Sequence, residues 1–145
     1  MNKIWNQRFI DLAAHVAEWS KDPSKKVGAV IVNDNKHVLS MGYNGFPRGV
    51  DDNPGRYGNK SLKRLLVSHA ERNALDNAPA SVEGATLYST LFPCNECAKG
   101  IIQRGIARVV TRRWDRTDQQ MLNAYNFDTA EFMFDEAGVE LILLP

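Results

Sequence analysis

At 145 residues the chain has room for one hydrophobic core but not comfortably for two, so residues 1–145 are read as a single domain. Eighteen lysines and arginines against 17 aspartates and glutamates leave a net charge of +1, with no long run of either sign, which argues against holding nucleic acid by bulk charge. No stretch approaches membrane-spanning length, and Lys3, Arg8, Asp11 and Glu18 break the N-terminal apolar residues as a signal peptide would not.

Ile4, Trp5, Phe9, Leu12, Ala13, Val16 and Ala17 recur at spacings of three and four, the apolar stripe of an amphipathic helix that runs to about Ser20 and stops at Lys21-Asp22-Pro23. The β-branched run 27–32, the turn residues Asn33-Asp34-Asn35 and the stretch 38–43 predict two strands joined as a hairpin. From Asn44 to about Lys60, Gly, Pro, Asp and Asn dominate without periodicity, and the segment is read as a long ordered loop. Ser68 is the expected cap of a helix carrying His69, Ala70, Glu71, Ala74 and Leu75, which ends before Pro79. A third strand is expected over 85–90, a helix from Cys94 to about Gln103 and a fourth strand over 108–111. A last helix over 129–137, closed by Gly138, and a fifth strand over 139–144 complete the chain. After the hairpin, strands and helices alternate, which predicts parallel strands, crossover helices on both faces and a three-layer α/β/α sandwich.

Two short stretches carry the chemistry, His69-Ala70-Glu71 and Pro93-Cys94-Asn95-Glu96-Cys97. Imidazole and thiolate suit Zn²⁺, and Cys94 and Cys97, one helical turn apart, can turn both sulfurs to one ion. These are the only cysteines, which leaves none for a disulfide framework and places the protein in a reducing cytoplasm. Each motif falls at the start of a predicted helix, where thiolates are favoured and where open α/β sheets place their ligand crevice. With His69, Cys94 and Cys97 as ligands, no obvious fourth residue closes the site, so a position stays open for water, as in catalytic rather than structural zinc sites. Glu71 diverges from His69 on a regular helix and suits proton transfer better than ligation. A non-catalytic zinc-stabilised module is the alternative from a different class; it requires a fourth protein ligand.

The pairing of His-x-Glu with Pro-Cys-x-x-Cys is shared with the zinc-dependent nucleobase deaminases. Together with Asp22-Pro23-Ser24-Lys25-Lys26-Val27-Gly28-Ala29-Val30, Gly42-Tyr43-Asn44-Gly45, His69-Ala70-Glu71-Arg72-Asn73-Ala74 and Ala137-Gly138-Val139, it makes most of the chain resemble the CMP/dCMP deaminase family, and within it the deoxycytidylate deaminases. That resemblance implies a cytidine deaminase-like sandwich with a five-stranded mixed sheet, one Zn²⁺ per chain and hydrolysis of dCMP to dUMP, the step that supplies thymidylate synthesis. It also implies a homo-oligomer, often a hexamer, activated by dCTP and inhibited by dTTP, with Mg²⁺ accompanying the regulatory triphosphate and no stable nucleic-acid or membrane partner. Gly42, Tyr43, Asn44 and Gly45 are similar to the regulatory nucleotide motif; Asn44 also resembles the asparagine that holds sugar or base, and the backbone at Ala70 is expected to face the pyrimidine carbonyl. Trp114 departs from the tyrosine expected after the fourth strand and is read either as a ring stacking on the pyrimidine or as one packed under the last helix. The candidates for the 5′-phosphate are Lys25, Lys26, Lys63, Arg64, Arg112, Arg113 and Arg116. Competing substrates are dCTP, cytidine, 5-substituted dCMP and, on the same fold, a tRNA adenosine.

Overall fold

The computed structural model describes residues 3–145. In chain order its elements are α1 (Lys3–Ala17), β1 (Gly28–Val32), β2 (Val38–Tyr43), α2 (Pro54–Gly58), α3 (Lys60–Leu66), α4 (Ala70–Asn77) and β3 (Thr86–Ser89). They continue with α5 (Asn95–Gln103), β4 (Arg108–Arg112), α6 (Gln119–Tyr125), α7 (Phe127–Ala137) and β5 (Glu140–Leu144). The five strands form one sheet in the order β2-β1-β3-β4-β5.

The sheet is mixed. β1 pairs antiparallel with β2, as the hairpin requires, and also antiparallel with β3, while β3, β4 and β5 run parallel. Alternation along the strands sorts the core into two layers. Val30, Val32, Tyr88 and Val110 face α1, packing with Phe9, Ile10, Ala13 and Val16. Ala29, Ile31, Leu87 and Val109 face the other way, toward Ala74, Leu75, Ala98, Ile101, Phe127 and Phe134. β1 is therefore buried at every residue, which is why its sequence reads as an unbroken apolar run.

Three layers result, but the crossover helices do not cover both faces as the sequence suggested. α4, α5 and α7 lie on one face and α1 alone covers the other. The reason is topological: β3, β4 and β5 advance in one direction across the sheet, so right-handed crossovers drop α5 and α7 on the same side.

The segment 44–68 also differs from a plain loop. Asn53 caps α2, accepting from Arg56 N at 3.0 Å with Pro54 at the first helical position, and Asn59 caps α3, accepting from Leu62 N at 3.2 Å. The turn-forming residues are helix caps. The segment closes on an isolated antiparallel bridge in which Gly45 and Ser68 exchange hydrogen bonds of 3.1 and 2.8 Å. That bridge commits Ser68, so His69, not Ser68, takes the N-cap position of α4. No helix among the described residues is long and apolar enough to cross a membrane.

Candidate metal centre and its surroundings

His69 precedes α4 in extended backbone and makes no side-chain cap bond, so its ring is free to turn away from its own helix. Cys94 is the N-cap of α5, and its Sγ accepts from the Cys97 amide at 3.4 Å. The two helix starts converge: His69 Nδ1 lies 3.4 Å from each sulfur, and the three donor atoms fall within 4.8 Å of one another. Zn–S and Zn–N bonds of about 2.3 and 2.0 Å at tetrahedral angles put nitrogen and sulfur roughly 3.5 Å apart. The observed 3.4 Å spacings fit a zinc ion held by these donors. Among the described residues, the potential ligand group contains no fourth His, Cys, Asp or Glu.

The electrostatics agree with a cation site. The Cys97 thiol hydrogen-bonds to Cys94, holding Cys94 well below the ordinary thiol range and pushing Cys97 up, so without an ion the pair shares one negative charge. The Cys94 sulfur in turn raises His69. A dication at this point would stabilise both thiolates together.

Glu71 lies in the first turn of α4, 4% exposed. Burial pushes its carboxyl up to about 7, against a smaller opposing pull from His69. Ser89 Oγ sits 3.2 Å from its Oε1. Ala70, fully buried, occupies the first position of α4, where a backbone N–H has no intrahelical acceptor.

The other residues singled out from sequence are spread around this centre. Asn44 is buried and cross-links backbone: Oδ1 accepts from Val27 N at 2.9 Å, and Nδ2 donates to the Lys25 carbonyl at 2.8 Å. Gly42 presses β2 directly on the backbone of α4 at Ala70 and Ala74. Tyr43 is partly exposed, meets Trp19 edge-on, and its carbonyl accepts from Asn73 Nδ2 at 2.7 Å. Tyr43 and Gly45 line a groove of about 1140 Å³ that runs past His69 and Cys97 along α4 and α5, with Arg48, Arg72 and Arg104 on its walls. Trp114 packs against Phe92 and Phe127 at the start of α7, with Arg116 over its face, beside a separate cavity of about 230 Å³.

Tyr125, not singled out from sequence, is the aromatic ring beside the centre. It ends α6, stacks on Phe127 at 5.3 Å and meets the His69 ring at 6.4 Å. Lys25 Nζ stands 5.3 Å above it. α6 is only two turns long and buries no residue fully; Met121 and Tyr125, four apart and half-buried against the core, are too short a stripe to announce a helix, and the clearer signal is Asp118, whose side chain caps Met121 N at 3.0 Å.

Comparison with known proteins places these features. Residues 3–112 match the family described as the cytidine and deoxycytidylate deaminase zinc-binding region. The chain is 41% identical over 141 residues to a deoxycytidylate deaminase of Pongo abelii, covering 93% of this chain and 76% of that protein. It is 39% identical over 143 residues to an uncharacterised deaminase of Aliivibrio fischeri, covering 97% and 94% of the two chains. The dCMP deaminase of the cyanophage S-TIM5, solved in complex with dCMP and dUMP, superposes with a TM-score of 0.75 at 26% identity, covering 99% of each chain.

Proposed function

This chain belongs to the family of cytidine and deoxycytidylate deaminases that share this zinc-binding region, and from that premise we propose that it hydrolyses dCMP to dUMP and ammonia as one deaminase domain over residues 1–145. The observation that carries the reading is the set of three donor atoms at zinc spacing with a buried carboxyl beside them that is not one of the three. His69, Cys94 and Cys97 would hold the ion. Zinc, when bound, supplies Lewis-acid activation of the attacking water. Glu71 accepts a proton from that water and gives it to the ring nitrogen N3 while the C4–O bond forms. It then takes the proton of the new C4 hydroxyl and passes it to the amino group, so that C4=O forms as the C4–N bond breaks and ammonia leaves. Burial raises the carboxyl while no ion is bound and a bound dication would pull it back down, so Glu71 can meet the water as a carboxylate and pass the proton on. Ala70 N–H and Asn44 are assigned to the pyrimidine and sugar, and Tyr125 to the base as its aromatic wall.

Among the candidate cations, Lys25 is assigned to the 5′-phosphate. Burial pulls its ammonium below the usual lysine range, and it stands over Tyr125, whereas Lys63 is held by Asp22 and Ser24 at 3.1 and 2.9 Å. The reading extends to a homo-oligomer regulated by dCTP and dTTP; Tyr43 and Gly45 on the wall of the 1140 Å³ groove support a nucleotide there.

The test is ammonia release from dCMP, dCTP, 5-methyl-dCMP, CMP, deoxycytidine and a tRNA anticodon stem-loop, with and without dCTP-Mg²⁺ and dTTP. Preference for dCMP is expected. Glu71→Gln should retain one zinc per chain and lose at least about a hundredfold in kcat; full turnover in that variant would remove Glu71 from the mechanism.

A further inference from the structure

The geometry points to Ser89 as a positioning residue for Glu71: its buried hydroxyl fixes one carboxyl oxygen and leaves the other for proton transfer. The inference takes from the deaminase reading only the role of Glu71. Ser89 is the last residue of β3 and is 0% exposed. Its Oγ lies 3.2 Å from Glu71 Oε1 and 2.7 Å from the Leu91 carbonyl oxygen.

A hydroxyl has one proton to give and lone pairs to receive with. While the carboxyl is ionised, Ser89 donates to Oε1. When the carboxyl is protonated on its other oxygen, Oε1 is a carbonyl oxygen and still accepts from Ser89, while the Leu91 carbonyl, which can only accept, competes for the same proton at 2.7 Å. Oε1 therefore keeps a partner through the cycle. The carboxyl is held against rotation about its last bond, and a misplaced catalytic group is costly to rate.

The anchor is itself held. Ser89 pairs with Ala29 of β1, and Thr111 Oγ1 on β4 donates to the Ser89 carbonyl at 2.8 Å, with Thr111 also fully buried. Ser89 thus ties the carboxyl on α4 to the centre of the sheet. Packing alone does not require this, because an apolar residue would fill the same space.

Ser89→Ala and Ser89→Cys separate the hydrogen bond from the volume, since Cys fills the site but bonds weakly. Each variant is compared with wild type by dCMP kinetics, zinc per chain and crystal structure. Both variants are expected to lose about tenfold in kcat with KM within about twofold and zinc unchanged, and the Glu71 carboxyl should leave its wild-type orientation or spread over several. Wild-type kcat in Ser89→Ala, recovery of kcat in Ser89→Cys, or an unmoved Glu71 carboxyl in both crystal structures would each overturn the role. If the wild-type protein releases no ammonia from dCMP, the deaminase reading fails, while the orientation of Glu71 in the variants still decides the inference.

Discussion

Gly42→Ala tests how the strand beside the centre sets the position of α4, the helix that carries Glu71. A Cβ at residue 42 would lie 2.3 Å from Ala74 N, 2.5 Å from Ala70 O and 2.9 Å from Asn73 C, all backbone atoms of α4. Non-bonded heavy atoms sit comfortably near about 3.5 Å, so α4 must retreat by roughly 1 Å. His69 precedes this helix and Glu71 lies in its first turn, so the retreat carries an expected zinc ligand and the expected proton carrier away from Cys94 and Cys97 together. A displacement of that size costs about a hundredfold in rate, and overpacking costs roughly 1–3 kcal/mol of stability. The assay is dCMP turnover with zinc per chain and thermal unfolding on the same preparation. Turnover and Tm should fall together, with partial loss of zinc. A variant that keeps wild-type turnover and Tm refutes the reasoning; one that keeps them and loses only its response to dCTP and dTTP would show that Gly42 serves a nucleotide and not the packing of α4.

Three further outcomes follow from the surroundings. Asp22 is nine-tenths buried or more, and burial raises its carboxyl, yet the bonds from Ser24 N, Lys25 N, Lys63 Nζ and Ser24 Oγ outweigh that and hold it below its ordinary value. Because the folded-state value is depressed, its contribution is present above the unfolded value near 3.8 and is lost as pH falls through the folded value. Asp22→Asn should therefore unfold in urea about 1.5–3 kcal/mol more easily at pH 7, with the gap closing as pH falls below the unfolded value near 3.8; an equal gap at pH 7 and in acid contradicts the ion pair as its source. Lys25→Met should raise KM for dCMP about tenfold and leave deoxycytidine turnover unchanged, and equal effects on the two substrates would move the phosphate elsewhere. Tyr125→Ala should raise KM roughly three- to tenfold and, because the ring stacks on Phe127, lower Tm as well, whereas Trp114→Ala should lower Tm with KM kept; a raised KM in Trp114→Ala with KM kept in Tyr125→Ala would restore Trp114 as the ring on the pyrimidine.

The parts of the fold legible in the sequence are those whose burial is periodic. The alternating and β-branched strands, the stripe of α1 and the helix starts at His69 and Cys94 carry their own pattern, because each side chain's environment is set by neighbours three, four or two residues away. In α2, α3 and α6 the pattern is absent or too short to read: Leu62, Leu65 and Leu66 in α3 and Met121, Leu122 and Tyr125 in α6 repeat the helical spacing only once. Their ends are built from Asn53, Asn59 and Asp118, residues equally suited to turns, and α3 and α6 bury no residue. Composition alone does not distinguish a cap from a turn when the apolar face that follows is at most two turns long.

The same division runs through the centre itself. Cys94 and Cys97 are brought together by one helical turn, so short spacing announces that pair, while His69 joins them across 25 residues where the starts of α4 and α5 converge. Ser89 reaches Glu71, Lys25 reaches Tyr125 and Tyr125 reaches His69 only through tertiary placement: one from the end of β3, one from the segment before β1 and one from a helix of two turns. Metal ligation needs atoms within a few ångströms of one ion, and local spacing provides two of the three donors here. Orientation of the proton carrier and enclosure of a nucleotide need walls on several sides, which only distant elements supply. If that division is right, substitutions at Ser89, Lys25 and Tyr125 should change rate and substrate affinity while leaving zinc content intact, and loss of zinc at any of the three would show that ligation and enclosure are not separable in this fold.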